Sequence, residues 1–278
     1  MAISAPNLKG TPVSSKTSTT TLTQNSVSAT SAEALVVGVV YDTGAGAPTV
    51  KWGQRSLRQK STATQSHGGI AVATFLLSYI KNSATRNIVA TWSSAITAKA
   101  MIVLGITGVN ITDVAAKQGQ TATGSPDTSS ATSTIADTLS IAFFGSEGPS
   151  SDTTGTVGSG HTVIASARVG TTGAPPASNV TIDATYEILS STGTIQATKT
   201  GATSRDWASV IVALKGSRGT SNNMPGDSAM ISISEKFESQ SLDFSNAALM
   251  FNEEQDRWEA FESSDMSTLI CHAGNDWV

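Results

Sequence analysis

The chain has 278 residues, of which 38% are hydrophobic and 14% charged, with one cysteine and a formal net charge of −4. A single cysteine excludes an internal disulfide framework and an all-cysteine metal site. Low charge with abundant Ser, Thr and Gly excludes a Glu/Lys/Leu-rich helical protein. No apolar run approaches the ~18–20 residues of a membrane-crossing helix. No basic stretch followed by an apolar one opens the chain, so neither a bilayer anchor nor a secretory leader is expected.

Residues 1–31 read as an N-terminal arm, Ser/Thr-rich and short of large apolar side chains. Thr20 to Ser28 alternates weakly and is compatible with an edge strand, whereas the polar stretch before it is expected to order only against another surface. From Ala32 to about residue 216 the composition changes to short Val/Ile/Thr/Ala runs broken by Gly, Ser and Asn, the signature of an all-β sandwich. Strands are expected at 33–41, 48–53, 56–62, 69–80, 86–93, 98–107, 111–118, 130–144, 161–169, 180–190 and 205–215. In the last of these, Trp207, Ser209, Ile211 and Ala213 alternate with Ala208, Val210, Val212 and Leu214. Both faces are apolar, which places this strand centrally in its sheet. Gly/Ser/Thr/Pro-rich stretches at 119–131, 145–160, 170–179 and 191–205 are expected to be surface loops.

Residues 217–278 form a third region, opening on a linker from Ser217 to Gly226. It carries 3 Lys/Arg against 11 Asp/Glu, a net of −8, whereas residues 1–216 carry 14 against 10, a net of +4. Such asymmetry either orients docking to a charged neighbour or marks a solvated acidic tail. Ala229–Ile233 reads as a strand. The stretch around Leu249–Phe261 reads as a hairpin turning between Asn252 and Arg257, or as a helix beginning near Ser245. Phe237, Phe244, Phe251 and Phe261 crowd this region, which calls for burial on the sandwich or on another subunit.

Catalytic signatures are sparse. His67, His161 and His272 lie far apart, with no pairing that suits a metal hydrolase. Cys271 beside His272 does not make a ligand set, because adjacent strand residues point to opposite faces. Val157-Gly158-Ser159-Gly160-His161 reads as a loop entering a strand, and a Ser159/His161 nucleophile would need an orienting acid that nothing local supplies. Glu253, Glu254, Asp256, Glu259 and Glu262 gather on one polar turn, the arrangement of a solvated face rather than of paired glycosidase carboxylates or a calcium loop. Lys51, Arg55, Arg58 and Lys60 form a basic cluster, too narrow and too poor in aromatics for nucleic acid.

Taken in order, the core runs resemble a known pattern. Leu35-Val36-Val37-Gly38-Val39 and Val50 to Leu57 fall where an "LLVVGV" strand precedes a "VTYGGQxLT" hairpin. Thr74-Phe75-Leu76-Leu77 matches its "WYLV" strand, Arg86 to Trp92 its "TATVTVT", Gly105 to Val109 its "SFSGV" turn, and Trp207 to Leu214 its closing "WALVAVSLK". The pattern is similar to jelly-roll-like β-sandwich modules of bacterial surface proteins and phage virion proteins, over roughly residues 33–215. The acidic tail and the missing leader depart from the secreted branch. Within the phage branch, an Ala/Ser/Thr/Gly-rich sandwich with an arm resembles capsid decoration (cement) proteins.

That resemblance implies an all-β, two-sheet antiparallel, jelly-roll-like sandwich with an extended arm and a small C-terminal appendage. It implies a non-enzymatic homotrimer, made in the host cytoplasm, that binds the major capsid protein on the outer capsid surface and stabilises it. No cofactor, metal, nucleic acid or membrane is expected. A tail, baseplate or fibre protein with a receptor- or carbohydrate-binding sandwich is the alternative. The expected contacts are Leu22 and Val27 on the arm, Arg55 and Arg58 on the basic hairpin, and Phe251, Glu253, Glu254, Trp258, Phe261 and Trp277 on the tail.

Overall fold

A computed structural model describes residues 3–64, 69–80, 84–109, 111–158, 160–215, 247–252, 257–262 and 265–273. The chain divides into two compact units, Met1–Ser217 and Arg218–Val278. In the first unit the strands are β1 (Asn7–Leu8), β2 (Val13–Ser15), β3 (Thr19–Ser28), β4 (Ala34–Asp42), β5 (Thr49–Trp52), β6 (Arg55–Ser56), β7 (Arg58–Thr64), β8 (Ile70–Leu77), β9 (Thr85–Ile96) and β10 (Lys99–Ile106). They continue with β11 (Ile111–Thr123), β12 (Ala131–Ser133), β13 (Thr138–Ser146), β14 (Thr154–Val157), β15 (Thr162–Gly170), β16 (Thr181–Leu189), β17 (Gly193–Ile195), β18 (Lys199–Ala202) and β19 (Arg205–Lys215).

The expected all-β sandwich is present, and it has three layers rather than two. A central sheet runs β1–β10–β4–β8–β7, with β2 also on β10. A first flanking sheet runs β3–β9–β5–β6, and a second runs β11–β19–β13–β16–β15. The reason is written in β4, β8 and β10, which are apolar at nearly every position and buried along almost their whole length. Strand side chains alternate between faces, so a run with no polar alternate must be covered on both sides. Leu35, Val37, Val39, Ala73, Phe75, Met101 and Val103 pack with Trp52, Ile88, Ala90 and Trp92 of the first flank. Their neighbours Val36, Val40, Val72, Ile102 and Leu104 pack with Ile141, Phe143, Ile182, Val210 and Val212 of the second. At ~1.5–3 kcal/mol per buried aliphatic or aromatic side chain, these two interfaces dominate the stability.

Two glycines set the approach of the central and second flanking sheets. A Cβ on Gly38 would lie 2.2 Å from the Phe143 ring, and one on Gly145 would lie 2.4 Å from Val72 and 2.7 Å from Val40. Bare backbone at these points lets the ring and the valines fill the space a side chain would occupy. As its pattern predicts, β19 sits between β11 and β13. Its outward Ile211 and Ala213, with Ala142 and Phe144 of β13, are covered by Ile195 and Ala197 at and beyond the end of the β12–β17 ribbon.

The stretch expected to be an arm is built into the sandwich. Leu8 pairs with Leu104, Val13 with Met101, and β3 pairs along β9 from Thr19 to Ser28. Leu22 and Val27 are 6% and 0% exposed, packed in the core rather than offered to a partner. Lys99, also fully buried, donates from Nζ to the carbonyls of Thr17 at 2.8 Å, Thr19 at 3.3 Å and Ile96 at 2.6 Å. Three carbonyls solvate the buried cation and pin the N-terminal segment to the β9–β10 turn.

The second unit contains β20 (Ala247–Asn252), β21 (Arg257–Glu262) and β22 (Asp265–Ala273), a three-stranded antiparallel sheet. The hairpin reading is therefore the observed one, with Phe251 opposite Trp258 and Asn252 opposite Arg257. Ala229–Ile233 lies outside the described residues.

Candidate functional site: a charged cleft on the second flanking sheet

A gathering of five charged side chains among the described residues, Asp152, Arg168, Asp183, Lys199 and Arg205, lies outside every expected contact. On β16, Ile182 and Ala184 point into the core, so Asp183 points outward. The β14–β18 ribbon crosses this face and delivers Lys199, whose Nζ meets Asp183 Oδ1 while lying 4.7 Å from the centre of the Phe144 ring. Burial pushes the Asp183 carboxyl up, opposed by Lys199 and then by Arg168. Arg205 of β19 grips Asp152 with both arms of its guanidinium, Nε to Oδ2 at 2.7 Å and Nη2 to Oδ1 at 3.4 Å. Arg168 donates to the Asp152 carbonyl. A cavity of about 100 Å³, bordered by Thr154, Val163, Ser166, Arg168, Asp183 and Lys199, opens beside the pair. Pockets that hold drug-sized ligands measure ~300–1,000 Å³, so this space suits a few waters or a small ion and not a sugar ring.

Next to this cleft, His161 is buried with Nδ1 3.1 Å from Thr185 Oγ1 and Nε2 3.5 Å from Glu187 Oε2. The Nε2 atom has no hydrogen-bond partner, and burial pulls the imidazole down to about 4, so it is neutral at pH 7. Burial pushes the Glu187 carboxyl up. The order hydroxyl, imidazole, carboxylate resembles that of a nucleophilic triad, but Thr185 is 1% exposed and no substrate carbonyl reaches its oxygen. Ser159 lies outside the described residues. Among the described residues no three His, Cys, Asp or Glu side chains converge as a metal would require. No helix of the described residues is long and apolar enough to cross a membrane.

The expected contact residues are dispersed. Leu22 and Val27 are core. Arg55 is half-buried, donates from Nη2 to the Ser78 carbonyl at 3.4 Å, and is held below its ordinary range by burial and by Arg86. Arg58 is exposed on β7, opposite Leu76. Phe251, Trp258 and Phe261 lie on β20 and β21, where the backbone register pairs position 251 with 258 and position 261 with 269. Glu253, Glu254 and Trp277 lie outside the described residues. The cleft escaped the sequence because Asp152 and Lys199 fall in stretches expected to be loops, and nothing local marks their partners.

Fold and cleft together define an all-β sandwich protein with a buried ionic seam. No family model matches the chain, and no curated protein matches it in sequence.

Proposed function

We propose that this chain is a non-enzymatic phage virion protein that decorates the capsid, binding the major capsid protein on the outer surface and stabilising the shell as a homotrimer. The observation that carries this reading is the disposition of charge. The cleft charges Lys199, Asp183, Arg205 and Asp152 are engaged with one another as struts between strands. Formal charge is otherwise segregated along the sequence, with a net of +4 before residue 217 and −8 after it. A rigid three-layer block with segregated charge suits repeated docking on a lattice, where many weak contacts combine through effective concentration. The outward side of the first flanking sheet adds Thr21, Thr49, Thr91 and Ser93, an exposed hydroxyl-rich face that stays soluble without inviting apolar association.

The stoichiometry of the chain in purified particles tests this reading. A copy number equal to the shell protein, or a simple fraction of it, is the expected result. A few copies per particle would move the chain to the tail, baseplate or fibre, and absence from particles would remove the virion reading altogether.

A further inference from the structure

We infer that the end of the sandwich that carries Arg55, Tyr79 and Arg86 is an interaction surface for an acidic protein face. Between Thr43 and Thr112 the chain carries seven lysines and arginines and no Asp or Glu. Strands β5 to β10 lie wholly inside that stretch and carry no carboxylate of their own. Glu33, whose carbonyl accepts from Ile80, has its carboxylate taken by the Gly108 amide at 2.9 Å. At this end Arg55 donates to the Ser78 carbonyl, which puts it beside Tyr79. Arg86 is held 5.5 Å from the centre of the Trp52 ring, and Trp52 is the cross-strand partner of Arg55 on the β5–β6 hairpin, so the two arginines flank one residue. Tyr79 is 50% exposed, one of three large hydrophobic side chains left in solvent among the described residues.

Backbone conformation singles out the same place. Five non-glycine residues among those described have φ in the left-handed region, and three of them are here: Ser26 at 54°, Ser31 at 58° and Tyr79 at 58°. The hydrogen bonds from Ser26 N to Asn87 Oδ1, Gly53 N to Asn87 O, Ala29 N to Ala84 O and Ile80 N to Glu33 O tie these turns into one surface. Such backbone gathers at binding sites because the surroundings hold it in place. In Tyr79 it leaves a large ring 50% exposed, one residue beyond the carbonyl that Arg55 holds.

The occupant follows from what the surface offers. Tyrosine and arginine are the residues enriched where protein interfaces concentrate their energy. Two neighbouring guanidinium groups call for carboxylates. A nucleic-acid strand would want several stacking rings along a cationic track, and only one ring is presented. An anionic glycan would want a concave pocket that encloses a ring, whereas this end leaves Tyr79 50% exposed. This inference shares with the proposed function the premise that the chain binds a protein, but its test needs no particle.

The test measures binding of the full chain to labelled poly-L-glutamate, with heparin and a DNA duplex as competitors. Wild type is expected to bind poly-L-glutamate with an affinity that falls as salt rises. The double variant R55A/R86A is expected to lose roughly tenfold or more, R55K/R86K to stay within about threefold, and Lys117→Ala on β11 to change nothing. Tyr79→Gly removes the ring and relaxes the left-handed backbone, so affinity falls while the melting temperature rises by about 1–3 °C. This variant keeps the test alive if the arginine variants fail to fold. No binding to poly-L-glutamate, equal binding by R55A/R86A and Tyr79→Gly, or equal loss at Lys117 would each overturn the inference. So would tighter binding of heparin or duplex through the same arginines, which would make the surface one for phosphate or sulfate polymers. Positive binding with absence from particles would sink the virion reading and leave this surface standing. The reverse result would do the opposite.

Discussion

Lys199 and Asp183 meet over the face of Phe144, joining the β14–β18 ribbon to the second flanking sheet. Removing one member leaves the other's charge buried, whereas replacing both with apolar groups of similar volume removes the problem. Lys199→Met is expected to cost about 3–5 kcal/mol, and K199M/D183L to return to within about 1 kcal/mol of wild type. Urea unfolding of the three proteins decides it. Equal losses in the single and double variants would mean that the ribbon is held by something other than this pair.

His161 makes stability depend on pH. Its folded pKa of about 4 lies below the unfolded value of 6.5, so between these values the unfolded chain binds the extra proton. The stability conferred by the neutral buried ring is complete above about pH 6.5 and is lost as the pH falls toward 4. For this buried ring the loss is at most about 3 kcal/mol. Glu187, raised by burial, works the other way. Its folded form takes up a proton before the unfolded one does, so falling pH stabilises the fold in the range just above 4.5. Unfolding midpoints at pH 7 and pH 5 are expected to differ in wild type. His161→Phe is expected to narrow the gap and Glu187→Gln to widen it.

Gly38 faces a ring with no room for a methyl group. Gly38→Ala is expected to destabilise by about 1–3 kcal/mol or more, because Phe143 sits in the core and both sheets would have to part. Phe143→Leu in the same chain makes space and is expected to recover part of the loss. Thermal unfolding of the single and double variants measures the coupling.

Leu22 separates a core strand from a docking arm. Buried at 6% exposure against the central sheet, Leu22→Ala is expected to cost about 2–4 kcal/mol in the isolated chain. An unchanged melting temperature would show that β3 contributes no core of its own.

How much of this was legible depended on side-chain alternation. Strands β4, β8, β10 and β19 each fall within about three residues of the stretch their Val/Ile/Leu runs predict, because burial on both faces leaves almost no polar alternate to obscure the run. Strand β16 falls as close despite its polar Asp183 and Glu187, whereas the stretch expected at 130–144 holds two strands, β12 and β13, the second beginning only at Thr138. The same runs contained the third layer, since an antiparallel sheet with one wet face would have alternated at Leu35–Tyr41. The N-terminal strands were hidden by the opposite circumstance. In β3 only Leu22, Gln24 and Val27 turn inward, and a register shift between Gln24 and Val27 breaks the period. The β14–β18 ribbon is made of Thr, Gly, Val, Lys and Ala, a composition that reads as loop until a partner strand is known. Lys199 and Asp183 stand sixteen residues apart with no motif linking them. The arginine end was half visible: the basic cluster named Arg55, but Arg86 and Tyr79 join it only through the fold.

The order of the layers along the chain has a consequence for synthesis. The central and first flanking sheets are complete by Ile106, while every strand of the second flanking sheet comes from Ile111 onward. A ribosome therefore finishes two layers first, and Val36, Val40, Val72, Ile102 and Leu104 wait bare on the nascent chain until about a hundred further residues emerge. At ~5–20 residues per second that interval lasts several seconds, long enough for two nascent chains on one messenger to join through those faces. The cell making this protein in quantity must either shield that face or keep its nascent chains apart, and the second half of the chain is, in effect, the first half's own late-arriving chaperone.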